Sequence, residues 1–238
     1  MPDRPPPHKR LFGTPFDLVL LSIAAGSADA AGYLGLGKVF TANMTGNIVL
    51  LGIALSEGRT GDTSRSLFAL FAFVVGTCLG GWMCRDVPPK RGWAPQITQV
   101  ILLEAGLILI YAAWWLHVAP EQHVAFVYPY IALLGLAMGL QGAAAFHLGI
   151  PGVVTTVVTG TLTSLFTGLT KIASGGAESS PDKPVAQQPL LLQAIVVVTY
   201  CGGAATSGLL MLHARPWAGF FPAMIILIVI LTRVVRPK

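Results

Sequence analysis

An all-α polytopic membrane protein is the fold class the sequence predicts: six transmembrane helices plus two broken or re-entrant Thr-Gly elements, arranged as two internal repeats. Three observations predict it. The 238 residues are 54% apolar and only 11% charged, with a mean hydropathy of +0.70, whereas a soluble domain carries about 25% charged residues. Several apolar runs reach the roughly 20 residues that a helix needs to cross a bilayer. One pattern also occurs twice, 114 positions apart: Leu34-Gly35-x3-Val39-x-Thr41-x3-Thr45-Gly46-Asn47 and Leu148-Gly149-x3-Val153-x-Thr155-x3-Thr159-Gly160-Thr161. Polar and backbone groups without partners are costly in hydrocarbon. Gathering Thr, Asn and Gly at one point of each half therefore indicates a duplicated protein with a polar site between the halves.

Taken in order, residues 1–13 are rich in Pro and basic side chains and read as a disordered basic tail. Arg4, Lys9 and Arg10 precede an apolar run and Ala28-Asp29-Ala30 resembles a cleavage site, but the run recurs at 127–149, so it is read as retained. Thr14-Pro15-Phe16-Asp17 opens the first helix with a cap, a proline at the first position and an acid in the first turn. Gly35 and Gly37 end it. Residues 39–56 are polar in their first half, and apolar segments follow at 66–84 and 96–117. The second half repeats this order: a helix over 125–147, a break at Gly149-Ile150-Pro151-Gly152, a Thr-rich segment over 153–171, then segments at 189–212 and 217–234. One integral membrane domain thus holds a first repeat at 14–117 and a second at 124–235. Aligning Thr45-Gly46 on Thr159-Gly160 pairs Leu51 with Leu165, Leu55 with Leu169, and Asp29 with Ala143.

Topology turns on the two Thr-rich elements. If they re-enter, there are six inverted spans; if they cross, eight parallel ones. With a cytoplasmic N-terminus, six spans place 11 Lys and Arg residues inside and leave Lys38, Arg59, Arg65 and Arg215 outside, while eight strand Arg85, Lys90 and Arg91 on the wrong face. Short loops are positive inside, which favours six spans with both termini cytoplasmic. Gly76-x3-Gly80, Gly135-x3-Gly139 and Ala204-x3-Gly208 predict close helix contacts. Trp82, Trp93, Trp114, Trp115 and Trp217 fall near predicted helix ends and read as interfacial anchors, and Cys78, Cys84 and Cys201 as small packing residues. The basic clusters flank apolar runs, so the lipid bilayer and not nucleic acid is the expected partner. The longest hydrophilic interval, 172–188, is too short for a nucleotide-binding domain. The small size leaves room for a homodimer, with no dedicated dimer face in the sequence.

The candidate substrate or ion-binding residues are Thr41, Asn43, Thr45, Gly46 and Asn47 in the first half, with Thr155, Thr156, Thr159, Gly160 and Thr161 in the second. A helix broken in the membrane turns a dipole end and free backbone groups on a cavity, and hydroxyl and amide side chains add neutral ligands. The opposing reading is that these residues bond their own helices or glue neighbours together. Asp29 and Glu104 are the acids at membrane depth, each either a proton or ion group or a structural one. Gln141 is a candidate beside the second break and also reads as interhelical glue, and His147 ends a helix there. No hydrolase, P-loop or metal-ligand spacing occurs, so neither a cofactor, a metal nor an enzyme is expected.

Ala28-Asp29-Ala30-Ala31-Gly32-Tyr33-Leu34 through Val39-Phe40-Thr41-Ala42-Asn43-Met44-Thr45-Gly46-Asn47 resembles the opening motif of the YoaK-like family of bacterial membrane proteins, the domain of unknown function 1275. Met138-Gly139-Leu140-Gln141, with Gly152 to Thr163, is similar to that family's second signature, except that Gly142 stands where the family usually has Asn. The resemblance covers residues 14–235 and implies a six-span protein of the bacterial inner membrane, without an assigned substrate. The expectation is a secondary transporter or channel for a small solute, with the site at the two Thr-Gly breaks. The alternative is a non-transporting scaffold or accessory subunit; a small intramembrane enzyme using Asp29 and Glu104 ranks third.

Overall fold

The computed structural model describes residues 14–87, 92–118, 126–149, 155–156, 158–174 and 187–235. The basic tail, Lys90, Arg91, the Ile150-Pro151-Gly152 part of the second break and most of the hydrophilic interval lie outside these. The described residues form eight helices and no strand: α1 Thr14–Gly35, α2 Met44–Ser56, α3 Thr60–Met83, α4 Pro95–His117, α5 Val127–Leu148, α6 Val158–Ala173, α7 Gln187–His213 and α8 Phe220–Val235. A 3-10 turn at Arg215–Trp217 leads into α8. Six segments, namely α1, α3, α4, α5, α7 and the turn continued into α8, are long and apolar enough to cross a membrane. With 13 and 16 residues, α2 and α6 extend about 20 and 24 Å, short of a hydrocarbon core of about 30 Å. Length thus favours six spans over eight.

The most enclosed spans are α1 and α5, each 67% buried, whereas α3, at 28%, and α7, at 22%, turn most of their side chains outward. α1 packs along α7 and α5 along α3; α8 joins α1 and α4 joins α5; α2 lies on α3 and α6 on α7; α1 meets α5 and α4 meets α8. Exchanging α1 for α5, α2 for α6, α3 for α7 and α4 for α8 leaves these neighbours unchanged.

The likeness extends to single atoms. Gly26 sits against the Tyr200 backbone and Gly203 against that of Ile23, while Gly139 sits against Phe73 and Gly76 against Leu136. A Cβ at any of the four would lie on a facing carbonyl oxygen, so a larger residue separates the helices. The Ser22 hydroxyl donates to the Val196 carbonyl at 2.7 Å, and at the matching place a Cβ on Gly135 would stand 3.4 Å from the Ala69 carbonyl. These matches relate α1 to α5 by 113 positions and α3 to α7 by 127. The packing register is one residue shorter than the 114 of the Thr-Gly motifs. The packing partner of Asp29 is therefore Gly142, not Ala143 as the motif alignment has it.

Further expectations are corrected. Asp17 does more than favour its helix N-terminus: its buried carboxylate pairs with Arg233 and accepts a bond from the Thr232 hydroxyl at 3.1 Å. The Arg233 guanidinium also lies 4.1 Å over the Trp93 ring. The start of α1 and the end of α8 thus share one end of the bundle, as an even number of spans requires. Trp93 and Trp115 are buried, Trp115 donating to the Arg215 carbonyl at 2.9 Å; only Trp82 and Trp217 stand widely exposed as anchors do. Cys78 and Cys201 are exposed, and only Cys84 packs inside. The close approach on α7 uses Gly203, whereas a Cβ on Gly208 would meet nothing nearer than Leu34 at 3.8 Å. α3 begins six residues before its apolar run, its first turns held by ion pairs of Asp62 with Arg59 and Arg65.

Candidate functional site

Gly37, at φ +83°, ends α1, and the Lys38 amide closes back on the Tyr33 carbonyl at 3.1 Å. The chain then folds back along α1. It passes so near Gly32 that a Cβ there would stand 2.7 Å from the Val39 carbonyl. By Thr41 it has returned to the level of Asp29, about 9 Å of helix short of the end of α1. There the Asp29 Oδ1 accepts the amides of Thr41 (2.7 Å), Ala42 (2.6 Å) and Asn43 (3.2 Å), and Oδ2 accepts the Tyr200 hydroxyl from α7. Successive amides turned on one oxygen form an anion nest. All four partners donate, which is what a carboxylate accepts.

The nest launches α2. The Asn43 Oδ1 caps it by accepting the Gly46 amide at 3.1 Å. The Asn47 side chain, fully buried, clamps Phe40 by accepting its amide at 2.9 Å and donating to its carbonyl at 2.6 Å. Gly46 is needed because a Cβ would stand 2.8 Å from the Phe40 ring. The Thr41 hydroxyl is buried and has no partner among the described residues.

At the second break, Gln141 Nε2 donates to the Leu21 carbonyl on α1 at 2.9 Å and to the Thr155 hydroxyl at 3.2 Å. Thr155, Thr156 and Thr161 are buried, Thr159 and Gly160 exposed, and α6 starts at Val158. Where Asp29 stands in the first half, Gly142 carries no side chain: a Cβ there would meet the Phe73 ring tip at 3.5 Å and the Thr156 hydroxyl oxygen at 3.6 Å.

Between the breaks lies a cavity of about 130 Å³. The first break lines it with residues 42–45, the second with Thr156, Val158 and Thr159, and α3 and α7 close it with Phe73 and Tyr200. Both rings stand near the middle of their helices, so the cavity lies at mid-span. Its wall carries hydroxyls, one carboxamide, a thioether and two aromatic rings, with no charged side chain among the described residues.

Of the residues singled out in the sequence, Asn43, Thr45, Thr156 and Thr159 meet on this wall. Asp29 stands one bond behind it, through Tyr200. Thr41, Gly46 and Asn47 shape the first break, and Gln141 and Thr155 tie the second to α1. Gly160 and Thr161 continue α6 off the wall. Glu104, on α4, is fully buried, and its carboxylate has no partner among the described residues; it is not brought to the cavity. His147 Nδ1 lies 2.9 Å from the Ala143 carbonyl of its own helix. Sequence reasoning missed Phe73 and Tyr200. Their signal is an aromatic three residues before a crossing glycine, Phe73-x2-Gly76 and Tyr200-x2-Gly203, visible only at the 127-residue spacing.

The family described as "Protein of unknown function (DUF1275)" matches residues 18–232. The UPF0700 transmembrane protein YoaK of Bacillus subtilis (strain 168) is similar, with 37% identity over 187 residues, 79% of each chain. No solved structure matches.

Proposed function

Because the chain belongs to the DUF1275 family, whose description names no activity, we propose its role from the geometry: a secondary transporter or channel for a small solute, and not an enzyme, in a bacterial inner membrane. The solute occupies the cavity between the Thr-Gly breaks. The observation that carries this reading is that both breaks reach one mid-span cavity and supply most of its wall. Irregular backbone at membrane depth is tolerated where it is buried in protein or lines a cavity, and secondary transporters place their sites at the interface of inverted repeats. The exchange symmetry of the helix contacts supports two inverted repeats, with α2 and α6 as re-entrant elements entering from opposite faces.

The test is flux in proteoliposomes of the purified chain, with acetate, glycerol and choline as trial solutes. Thr45→Phe and Thr159→Phe, which fill the cavity from either break, are expected to lower flux at least tenfold while thermal unfolding stays unchanged. Flux that ignores both variants overturns the site. Absence of flux, with the same variants altering subunit association, supports the accessory-scaffold reading, which the wholly structural bonding of Asn47 also favours. Topology is tested with single cysteines in a cysteine-free background: in right-side-out vesicles an impermeant thiol reagent reacts with Gly58→Cys and not with Ser174→Cys.

A further inference from the structure

We propose that the cavity receives a small monovalent anion, a carboxylate or an oxyanion of that size, seated at Gly142 and Thr156 against the N-terminal turn of α6. The inference rests on the cavity proposed above as the solute site and adds the chemical class of its occupant.

The molecule supplies its own template. At the first break a carboxylate, that of Asp29, lies in the amides that lead into α2 and takes the Tyr200 hydroxyl on its other oxygen. Shifted by the packing register, the same place at the second break belongs to Gly142, and the residue matching Tyr200 is Phe73. Both halves of the internal ion contact are therefore missing together: the acid is a glycine, and the phenol is a ring without its hydroxyl. Room for a first atom remains, since a Cβ at Gly142 would have only ordinary contacts, at 3.5 and 3.6 Å, with Phe73 and Thr156. Those two residues belong to the cavity wall, so the place of the missing carboxylate adjoins the cavity.

Donors line the same cavity. Thr156 is 4% exposed, and its hydroxyl has no partner among the described residues. α6, 16 residues long, starts at Val158 on the wall; first-turn amides of a helix have no intrahelical acceptor and carry the positive end of the dipole. Asn43 spends its oxygen on the Gly46 amide, which leaves its NH₂ as the end free to donate. The nearby carboxylate is not on offer to a cation: both Asp29 oxygens are engaged by four donors and stand behind Tyr200. The volume, about 130 Å³, equals roughly four water-sized groups.

The test is calorimetric titration of the purified chain with formate, acetate and nitrate, each as its sodium and its choline salt, alongside flux of the same ions. Binding of at least one anion, independent of the counter-cation, is expected, with affinity falling about tenfold or more in Thr156→Val. The double variant G142D/F73Y rebuilds the first-half contact at the second break; it is expected to abolish anion binding without lowering the unfolding temperature. If none of the three anions binds the native chain, or if Thr156→Val binds as tightly as it, the inference is overturned. Thr156→Val decides the matter should the double variant fail to fold. Anion binding without flux leaves this inference standing and removes transport; flux of glycerol or choline without anion binding does the reverse.

Discussion

At the first break three backbone amides and a phenol close on Asp29, while at the second the matching position is Gly142, facing a phenyl ring and the Thr156 hydroxyl, which has no partner among the described residues. The helices around the two points pack alike, down to the glycines at each crossing. Only the polar contents differ, and they differ as a pair: acid with phenol, glycine with phenyl. Two halves that pack alike can thus differ in what they hold at matching points, since the helix contacts between them do not depend on either.

The largest effect should come from Asp29→Ala. It strands three amides and the Tyr200 hydroxyl, and each buried group without a partner costs about 1–3 kcal/mol. Water entering from the cavity offsets part of that, so the expected loss is about 3–5 kcal/mol, a large part of the usual 5–15 kcal/mol of a domain. Thermal unfolding in detergent would read it, and a variant that unfolds with the native chain would remove the asymmetry between the breaks.

Asn47→Ala comes next, at about 2 kcal/mol, because two bonds to the Phe40 backbone go together. Tyr200→Phe removes a single interhelical bond. Such bonds average about 0.6 kcal/mol in membrane proteins, and a charged acceptor raises the figure, so about 1–2 kcal/mol is expected. Its counterpart, Phe73→Tyr, gains no carboxylate to meet and should move the unfolding temperature little. Equal losses in the two aromatic variants would say that Asp29 does not distinguish the breaks.

The spans were legible because bilayer thickness fixes the length of an apolar run, and the breaks because Thr, Asn and Gly are conspicuous inside one. The start of α3 was not: residues 60–65 are polar, and the helix runs past the apolar segment on the ion pairs of Asp62. Phe73 and Tyr200 look like any ring in a span, and Tyr200 lies 171 positions from the acid it bonds. The one-residue slip between motif and packing register passed unseen because Gly142-Ala143-Ala144-Ala145 offers no landmark. Depth made Glu104 conspicuous, but hydropathy does not say which side chains share a cavity, and Glu104 is not on its wall.

The smallest expected effect is also the most exposed to contradiction. Gly142→Ala adds one methyl group where the nearest atoms stand 3.5 and 3.6 Å away, an ordinary contact distance. The variant also replaces a helix-interior glycine, worth about 1 kcal/mol in favour of alanine. The balance should therefore lie between zero and about 1 kcal/mol of added stability, seen as an unfolding temperature that holds or rises by a few degrees. At Gly139, one helical turn earlier, a Cβ would lie on the Phe73 carbonyl, so Gly139→Ala must force α3 and α5 apart and lower the same temperature clearly. If the two variants behave alike, Gly142 is a packing glycine like its neighbour and there is no room beside Thr156. If they part as expected, the space at Gly142 serves something other than the packing of α3 on α5.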